Sequence, residues 1–468
     1  MKSFELKLFV TVFLFLLSSI CQVTHADEHT HMKQYETGGI YEGEFLEGRQ
    51  HGKGKYSLPN GYVYEGNWVN GKIEGKGQAK YPDGSVYVGG FKDGKHFGEG
   101  ILSFPDGTQY KGGWKDGNFE GIGKLQYANG VILEGNFING KLEGLGTQTS
   151  SDGYSYEGDW LDGKKVGHAT INYAGGGTYV GQVFNGVREG EGKLRLKDGT
   201  IMEGTYQSGT LTGHGIVKFM NGDHYSGQVS EGKIQGEGRK YYSSGDYYQG
   251  GFMNNQHHGQ GLYRTTKGYV AEGNWLNGQL QGSGKLTYPD LSTYVGDLKD
   301  GIPHGTGTIT FSDESNYIGQ WVNGKINGFG TAKYSNGQIY AGNFKNGKNH
   351  GKGKMTFGDG YTYEGLWSNG LFDGLGKAEY TDGSIYEGNF KEGKRHGSGK
   401  IMMADGAVFD GNFENGQING QGIALYPNGD RYEGNFNNGK REGKGKITYK
   451  SGHTYEGNWK ENKRLLGE

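Results

Sequence analysis

Histidine is the residue type in this sequence whose spacing first suggests chemistry. His258, His304, His350 and His396 follow one another at intervals of 46 residues, and His51 has the same sequence context. Imidazole is a common ligand of zinc and copper, but the ligands of one ion must converge within a few ångströms. On a sheet built from the repeat described below, successive histidines would lie about 19 Å apart. We therefore expect them to be surface residues beside turns that share no metal.

A second candidate for metal chemistry lies near the amino terminus. If the chain is cleaved after Ala26, it begins Asp27-Glu28-His29, with His31 close behind. A free amine with histidine in third place can bind Cu(II) or Ni(II) through a square-planar set of nitrogen atoms. A flexible terminus that contains histidine without binding metal explains the same residues, and both interpretations stay open.

Carboxylates and glycines offer no catalytic arrangement. Asp83 and Asp106 could suggest a glycosidase or a calcium site, but both stand in turn sequences, where aspartate is common. The pair Gly75 and Gly77 resembles a phosphate-binding loop, yet such a loop needs one strand, one turn and one helix start, whereas this G-x-G recurs along the chain. No nucleophile, base and orienting group fall together. We predict a protein that is not an enzyme and has no catalytic residues, cofactor or metal.

Composition limits the kind of core that the chain can build. Its 468 residues include 96 glycines, 34 tyrosines, 22 phenylalanines and 7 tryptophans, but only 32% are hydrophobic. Burial must therefore come from aromatic rings rather than from a thick aliphatic core. The formal net charge is −2 with both signs interspersed, so the sequence lacks the basic excess of a nucleic-acid-binding protein, and we expect no nucleic acid partner.

Residues 1–26 have the features of a secretory signal peptide. Lysines precede an apolar run over residues 8–21, and small residues lead to Ala26, where cleavage is expected. The run is shorter than the roughly 20 residues of a spanning helix, although an uncleaved anchor stays an alternative. Cleavage would remove Cys21, the single cysteine. We expect an exported protein, in a periplasm, at a cell surface or in a secretory compartment, without disulfides.

The rest of the chain is one repeat. From Tyr41, eighteen lines of 23 residues fit without insertion over residues 41–454, preceded by a lead-in at 27–40 and followed by a truncated repeat at 455–468. We number the positions of each repeat from 0 to 22. Glycine recurs at positions 2, 7, 11, 13 and 20. A residue type that recurs at fixed positions in almost every repeat indicates a structural scaffold.

Alternation within the repeat predicts a β-hairpin. Tyr64, Gly66 and Trp68, at positions 0, 2 and 4, should point to one face of a strand. We predict that position 0 pairs with 17, position 2 with 15 and position 4 with 13, which would set Trp68 against Gly77. The predicted structural aromatic residues are Tyr41, Phe45, Tyr64, Trp68, Phe91, Trp114, Trp160, Trp275, Trp321 and Trp367.

The connection between repeats is the best determined turn. Five of the six prolines occupy position 18, usually followed by Asp or Asn and then Gly, and these are Pro59, Pro82, Pro105, Pro289 and Pro427. This order predicts a three-residue loop made of a type I turn and a glycine bulge. Consecutive hairpins should then join edge to edge. The predicted fold class is all-β, an elongated single-layer antiparallel sheet of tandem 23-residue β-hairpins about 170 Å long.

The consensus Y-x-G-x-[FW]-x-[ND]-G-x-x-x-G-x-G resembles the MORN (membrane occupation and recognition nexus) repeat, over nearly the whole chain after the leader. The resemblance implies rods of stacked hairpins that act as scaffolds and sometimes self-associate, with a disputed affinity for acidic phospholipids. Enzymes of the family carry a separate catalytic domain, for which residues 27–40 and 455–468 are too short.

Two functions follow as hypotheses. The first is an exported, non-enzymatic scaffold that binds a protein partner or a second copy of itself, because long sheet faces and edge strands are templates for association. The alternative is a peripheral protein that binds acidic phospholipid membranes. The absence of a basic excess makes electrostatic attraction to a membrane weak, so the first hypothesis is preferred.

Several repeats between residues 156 and 316 depart from the consensus. The changed residues are Val183, Tyr206, Val229 and Leu298 at position 4, Met202 and Ala271 at position 0, Ala169 at position 13, Asn255 at position 7, and Leu291 and Glu314 at position 20. They predict either a bend or partner-specific face, or neutral drift in a redundant array.

Overall fold

The structure is a computed structural model that describes residues 31–465. The chain divides into two compact units, Met1–Lys233 and Ile234–Glu468. Every regular element in the described part of each unit is a β-strand, and strands adjacent in sequence pair antiparallel. The all-β prediction with tandem antiparallel hairpins is therefore confirmed. The predicted signal peptide at residues 1–26 and the candidate copper ligands Asp27, Glu28 and His29 lie outside the described residues.

From residue 31 onward, the amino-terminal unit contains eighteen complete strands. They are β1 (His31–Gln34), β2 (Ile40–Leu46), β3 (Arg49–Ser57), β4 (Val63–Val69), β5 (Lys72–Lys80), β6 (Val86–Lys92), β7 (Lys95–Ser103), β8 (Gln109–Lys115), β9 (Asn118–Gln126), β10 (Ile132–Ile138), β11 (Lys141–Thr149), β12 (Ser155–Leu161), β13 (Lys164–Asn172), β14 (Gly177–Phe184), β15 (Val187–Leu196), β16 (Ile201–Gln207), β17 (Thr210–Lys218) and β18 (His224–Ser230).

The carboxy-terminal unit continues the same alternation of a shorter and a longer strand. Its strands are β19 (Lys233–Tyr241), β20 (Tyr247–Met253), β21 (Gln256–Arg264), β22 (Val270–Leu276), β23 (Gln279–Thr287), β24 (Thr293–Lys299), β25 (Ile302–Thr310), β26 (Asn316–Val322), β27 (Lys325–Lys333), β28 (Ile339–Lys345), β29 (Lys348–Thr356), β30 (Thr362–Ser368), β31 (Leu371–Glu379), β32 (Ile385–Lys391), β33 (Lys394–Met402), β34 (Val408–Glu414), β35 (Gln417–Leu425), β36 (Arg431–Asn437), β37 (Lys440–Thr448), β38 (Thr454–Lys460) and β39 (Lys463–Leu465).

A two-residue loop, the hairpin tip, joins the two strands of each repeat at positions 6 and 7. In β4–β5 the tip is Asn70-Gly71, with φ of 50° and 85°. Positive φ at both residues is the mark of a type I′ turn, whose twist matches that of the strands, and Asn-Gly suits it best. The amide of Gly71 also donates to the carbonyl of Gln50 in the preceding repeat, at 2.9 Å. Each tip is thereby tied to its neighbour.

The predicted register within the hairpin is wrong by two residues. Tyr64 lies opposite Ala79, at position 15, and Gly66 lies opposite Gly77, at position 13. The prediction paired Tyr64 with Tyr81, two residues further along the chain than Ala79. The register is set from the two-residue tip and from an irregularity beside it.

That irregularity is a β-bulge that follows position 2 in hairpins along both units. In β4–β5 it lies between Gly66 and Trp68, and it places Trp68 opposite Ile73, at position 9. A bulge leaves backbone groups without ladder partners. A side chain at position 3 supplies one in several repeats: a carboxylate oxygen of Asp159 accepts from the His168 amide at 2.9 Å.

The return turn at positions 18 to 20 has the predicted conformation. The amide of Gly84 donates to the carbonyl of Tyr81 at 2.9 Å, and the amide of Tyr81 donates to the carbonyl of Ser85 at 2.8 Å. Gly84 supplies the positive φ, 84°. Leu291 and Glu314 hold the same backbone conformation, with φ of 69° and 67°, although they are not glycine. Their turns therefore carry local strain.

Candidate functional site

The opening tyrosine at position 0 is the centre of each hairpin. Tyr64 has no exposed surface, and its hydroxyl donates to the carbonyl of Asn67 at 3.0 Å. Its ring covers the glycines at positions 2 and 13, since a Cβ added to Gly77 would lie 2.4 Å from the Tyr64 hydroxyl. The ring that requires these glycines is therefore the one at position 0. The predicted packing of the position 4 ring against the position 13 glycine of its own hairpin is wrong, because the register differs.

The ring at position 4 instead joins one repeat to the repeat before it. Trp68 lies opposite Gly52 of the preceding repeat, and its indole nitrogen donates to the carbonyl of Gly54 at 3.2 Å. It meets Tyr41 and Tyr64 edge to face, with ring centroids 5.2 and 5.5 Å apart. Such pairs stabilise beyond the area that they bury. The position 4 ring thus stabilises the contact between neighbouring hairpins.

Nine of the ten predicted structural aromatic residues are buried, with 0 to 8% of their surface exposed. Phe45 is half-buried, because no complete repeat precedes it within the described residues. Trp160 differs in another way, since its indole nitrogen is buried without a hydrogen-bond partner. These residues form the hairpin core and present no exposed binding surface.

Position 9 carries a second buried group that the sequence did not reveal. His96 is stacked on Tyr87 at 3.7 Å between ring centroids, and Phe119 is stacked on Tyr110 at the same distance. Burial lowers the pKa of His96 to about 4, so the imidazole is neutral at pH 7. The signal that could have found this position is its place two residues after the tip glycine, opposite the position 4 ring.

In other repeats a cation at position 9 lies over the opening tyrosine. The ammonium of Lys165 is 4.5 Å from the ring centroid of Tyr156 and 5.5 Å from that of Trp160, and burial lowers its pKa to about 8. Arginines that make comparable contacts are Arg188, Arg395, Arg441 and Arg464. Cation–π attraction explains why a charge is tolerated here.

The histidines at position 10 lie beside turns as predicted, but they are half-buried rather than fully on the surface. The amide of Asn323, in the tip of the next repeat, lies 3.4 Å from Nδ1 of His304. Glu74 shows the same role more clearly, because its carboxylate accepts from the amide of Asp93 at 2.9 Å. Position 10 thus contacts the following tip. Across residues 31–465, no three His, Cys, Asp or Glu side chains are grouped closely enough to hold a metal ion.

Three repeats lack an aromatic ring at position 0, and all three carry leucine at position 9. The pairs are Leu133 with Leu142, Met202 with Leu211, and Ala271 with Leu280. No other repeat has leucine at position 9.

The position 9 leucines fill the space that the tyrosine ring occupies elsewhere. Leu142 is 2% exposed, and its Cδ2 would lie 2.8 Å from a Cβ added to Gly146. At position 4, Val183, Val229 and Leu298 are also buried. These departures from the consensus therefore preserve the hairpin core. The predicted bend or partner-specific face stays a prediction.

The opposite face of each sheet carries paired charges at positions 1 and 14. Lys124 and Glu134 are 2.5 Å apart in the amino-terminal unit, and Lys354 and Glu364 are 3.7 Å apart in the carboxy-terminal unit. About half of each side chain is exposed, and such surface pairs contribute at most about 1 kcal/mol. This face is solvated and its charges largely neutralise one another.

The two long edges of each sheet have different compositions. In the carboxy-terminal unit, positions 5 to 8 at the tips contain nine lysines and four acidic residues, whereas positions 18 to 20 at the return turns contain six acidic residues and two lysines. A meander of hairpins places all tips at one edge and all return turns at the other. The carboxy-terminal unit therefore has a basic tip edge and an acidic return-turn edge.

The MORN repeat family model matches the chain from residue 41 to residue 464, in eighteen segments. The chain belongs to the MORN-repeat family. The segments are 41–61, 64–86, 87–109, 110–132, 134–153, 156–178, 179–201, 225–247, 248–268, 272–293, 294–315, 317–339, 340–360, 363–385, 386–408, 409–431, 432–454 and 455–464. The repeat at 202–224, which opens with Met202, is not among them. MORN repeats are non-catalytic modules of protein or membrane interaction.

Comparison with solved structures gives only remote similarity. The TCP domain of Drosophila melanogaster SAS-4 with a proline-rich motif of Ana2 is 14% identical, with a TM-score of 0.23, over 33% of this chain and 85% of that one. The TCP10 domain of Danio rerio CPAP with a STIL peptide is 12% identical, with a TM-score of 0.09, over 82% and 99%. A streptogramin B lyase is 11% identical, with a TM-score of 0.11, over 72% and 89%. TM-scores this low carry no argument about function.

A search of curated proteins finds no significant match. Within residues 31–465, no helix has the length and apolar character needed to cross a membrane.

Proposed function

We propose that this MORN-repeat protein is an exported, non-enzymatic scaffold that mediates protein–protein interaction or self-association. The observation that carries the proposal is that, within each repeat, one set of positions packs the hairpin core and another set is left exposed. Positions 0, 2, 4, 9 and 13 are used for packing in hairpins such as that of Tyr64. Residue types vary from repeat to repeat at positions 5 and 8 of the tips and at positions 1 and 14 of the face opposite the hairpin core, where a partner can be recognised. Export is supported by the composition of residues 1–26.

A peripheral binder of acidic phospholipids is the second candidate. The observation that favours it is the mixture of basic and apolar residues at adjacent tips of the carboxy-terminal unit. Lys345 and Lys348 share one tip, which lies between the tips that carry Val322 and Leu371, and all four residues are exposed. Basic and apolar side chains together attract proteins to anionic bilayers. The short length of this basic stretch places this function second.

One preparation can test both functions. The chain is produced in a secreting host, its amino terminus is sequenced, and cleavage after Ala26 is the expected result. Chemical cross-linking followed by mass spectrometry should identify residue pairs between this chain and a second protein or a second copy. On this chain, the cross-linked residues should lie at the tips, at the return turns or at positions 1 and 14 of the face opposite the hairpin core. Co-sedimentation with acidic and neutral vesicles provides the competing measurement. Salt-sensitive binding to acidic vesicles alone, without protein cross-links, would replace the first function with the second.

A further inference from the structure

The charges at the two edges of the carboxy-terminal unit have few counter-charges within their own edge. At the tips of the repeats that open with Tyr317, Tyr340 and Tyr386 lie five exposed lysines: Lys325, Lys345, Lys348, Lys391 and Lys394. No ion pair involves any of the five within residues 31–465.

Two tip lysines of the amino-terminal unit differ in this respect. Lys72 pairs with Asp93 and Lys141 with Asp162, each at 2.5 Å, because an acidic residue stands in the next tip. In the carboxy-terminal unit, the tips that follow Lys325 and Lys348 carry Asn instead. Five cations are therefore available to a counter-charge from another molecule.

The return turns of the same unit present a row of fixed carboxylates. Asp359, Asp382 and Asp405 occupy the same turn position in three consecutive repeats, and all are exposed. Each accepts a hydrogen bond from the backbone amide two residues later, at 2.8 to 3.0 Å. These bonds hold each side chain in one orientation at the edge. For Asp382, bonds from Ser384 also lower the carboxyl pKa, which keeps the carboxylate ionised.

The two rows have the same spacing because every repeat contributes one tip and one return turn. Two strands per repeat give a pitch of about 10 Å along both edges. Asp359 and Asp405 are two repeats apart, as are the Lys345–Lys348 and Lys391–Lys394 tips. When two sheets lie side by side in the same direction, both carboxylates can meet a lysine tip at once. A single exposed ion pair contributes little binding free energy, but several matched pairs that form together raise the overall affinity through multivalency.

From this complementarity we infer that the acidic return-turn edge of the carboxy-terminal unit binds the basic tip edge of a second copy of the chain. The contact is heterologous: each copy in a dimer uses one edge and keeps the other, so the dimer has one free edge of each sign and association can continue. The inference rests on the proposed function, of which it specifies the partner and the surface.

The test measures the mass of the full chain by sedimentation velocity over a range of protein concentrations and salt. At low salt the weight-average mass should rise with concentration to at least twice the 51.1 kDa of the monomer. At about 1 M salt, where the Debye length is roughly 3 Å, it should return to the monomer value. A monomer at low salt and high concentration would overturn the inference.

Two variants separate the edges without disturbing the fold. The acidic-edge variant is Asp359→Asn, Asp382→Asn and Asp405→Asn; Asn336 already occupies this turn position and makes the same backbone hydrogen bond, at 3.2 Å. The basic-edge variant is Lys345→Gln, Lys348→Gln, Lys391→Gln and Lys394→Gln; Gln279 and Gln417 occupy a tip position naturally. The control is Lys72→Gln with Lys141→Gln, which removes tip lysines that are already paired.

Each edge variant alone should stay monomeric, and the control should associate as the wild type does. An equimolar mixture of the two edge variants should form dimers that do not grow further, because each variant has one intact edge and the dimer uses both of them. Failure of the mixture to associate, or association of either variant alone, would overturn the inference. If the chain cross-links to a different protein but never to itself, the inference fails while the proposed function stands. Binding of the basic edge to anionic vesicles, with no self-association and no cross-link to another protein, would contradict both.

Discussion

The repeats that open with Tyr110 and Leu133 are neighbours in the amino-terminal unit, yet they fill the hairpin core in different ways. In the first, the tyrosine ring from the shorter strand covers the glycines, with Phe119 stacked on it at 3.7 Å. In the second, Leu142 from the longer strand covers them. The register and bulge are the same in both hairpins. In both hairpins a large side chain covers the glycines at positions 2 and 13. That side chain can come from position 0 of the shorter strand or from position 9 of the longer strand.

The largest expected difference in the free energy of unfolding comes from truncating the side chain at position 0. Tyr110→Ala should destabilise the amino-terminal unit by about 4 kcal/mol, because a fully buried ring and its packing are lost. The matched change Leu133→Ala should cost about 1 kcal/mol, because Leu133 is only half-buried. Urea unfolding followed by tryptophan fluorescence measures both. Equal losses would show that position 0 matters to the same extent in both repeats and would break the comparison.

Adding a methyl group at position 13 should also distinguish the two hairpins. A Cβ at residue 123 would lie 2.3 Å from the Tyr110 hydroxyl, whereas at residue 146 it would meet Leu142 Cδ2 at 2.8 Å and Trp160 at 3.1 Å. Gly123→Ala should therefore cost about 3 kcal/mol, and Gly146→Ala about 1 kcal/mol because leucine has softer torsions, both as overpacking effects. The unfolding midpoints of the two variants provide the measurement, and the reverse order would contradict this account.

Acid sensitivity should differ between repeats with histidine and phenylalanine at position 9. Burial depresses the pKa of His96 from 6.5 to about 4 in the folded state, so the unfolded chain binds the proton first as the pH falls. The stability that neutral His96 provides is complete above pH 6.5 and is lost toward pH 4, about 3 kcal/mol in all.

His96→Phe copies the stacked pair of Phe119 with Tyr110 and should remove this part of the acid sensitivity. Unfolding free energies of wild type and variant at pH 7 and pH 4 supply the comparison. Parallel losses in the two proteins would show that His96 is not the group responsible.

The smallest expected effect tests whether the side chains at positions 0 and 9 occupy the same space above the glycines. Leu133→Tyr should be destabilising while Leu142 occupies the space, and Leu142→Asn should leave that space empty. The double variant restores the arrangement of the repeat that opens with Tyr340, where Asn349 stands at position 9. The two changes should couple favourably by about 1 kcal/mol in a double-mutant cycle. Additive effects would mean that positions 0 and 9 do not share one space.

The sequence alone determined the repeat, its length and its strand content. Glycine and aromatic residues at fixed positions, with Pro-Asp-Gly at position 18, are local signals, and local signals specify turns and alternation directly. The return turn at Tyr81–Ser85 was therefore predicted in detail. The family was also recognisable, because the consensus recurs over residues 41–464.

The tertiary structure decided the register, the partners of the glycines and the role of position 9. The residues at the bulge have no distinctive type, so the sequence does not reveal the shift in strand pairing that the bulge causes. As a result, Tyr64 lies opposite Ala79 instead of Tyr81. Which ring covers Gly77 depends on that pairing, and so does the burial of His96 and Leu142. These features depend on contacts across strands, and a contact of that kind is fixed only when both strands are in place.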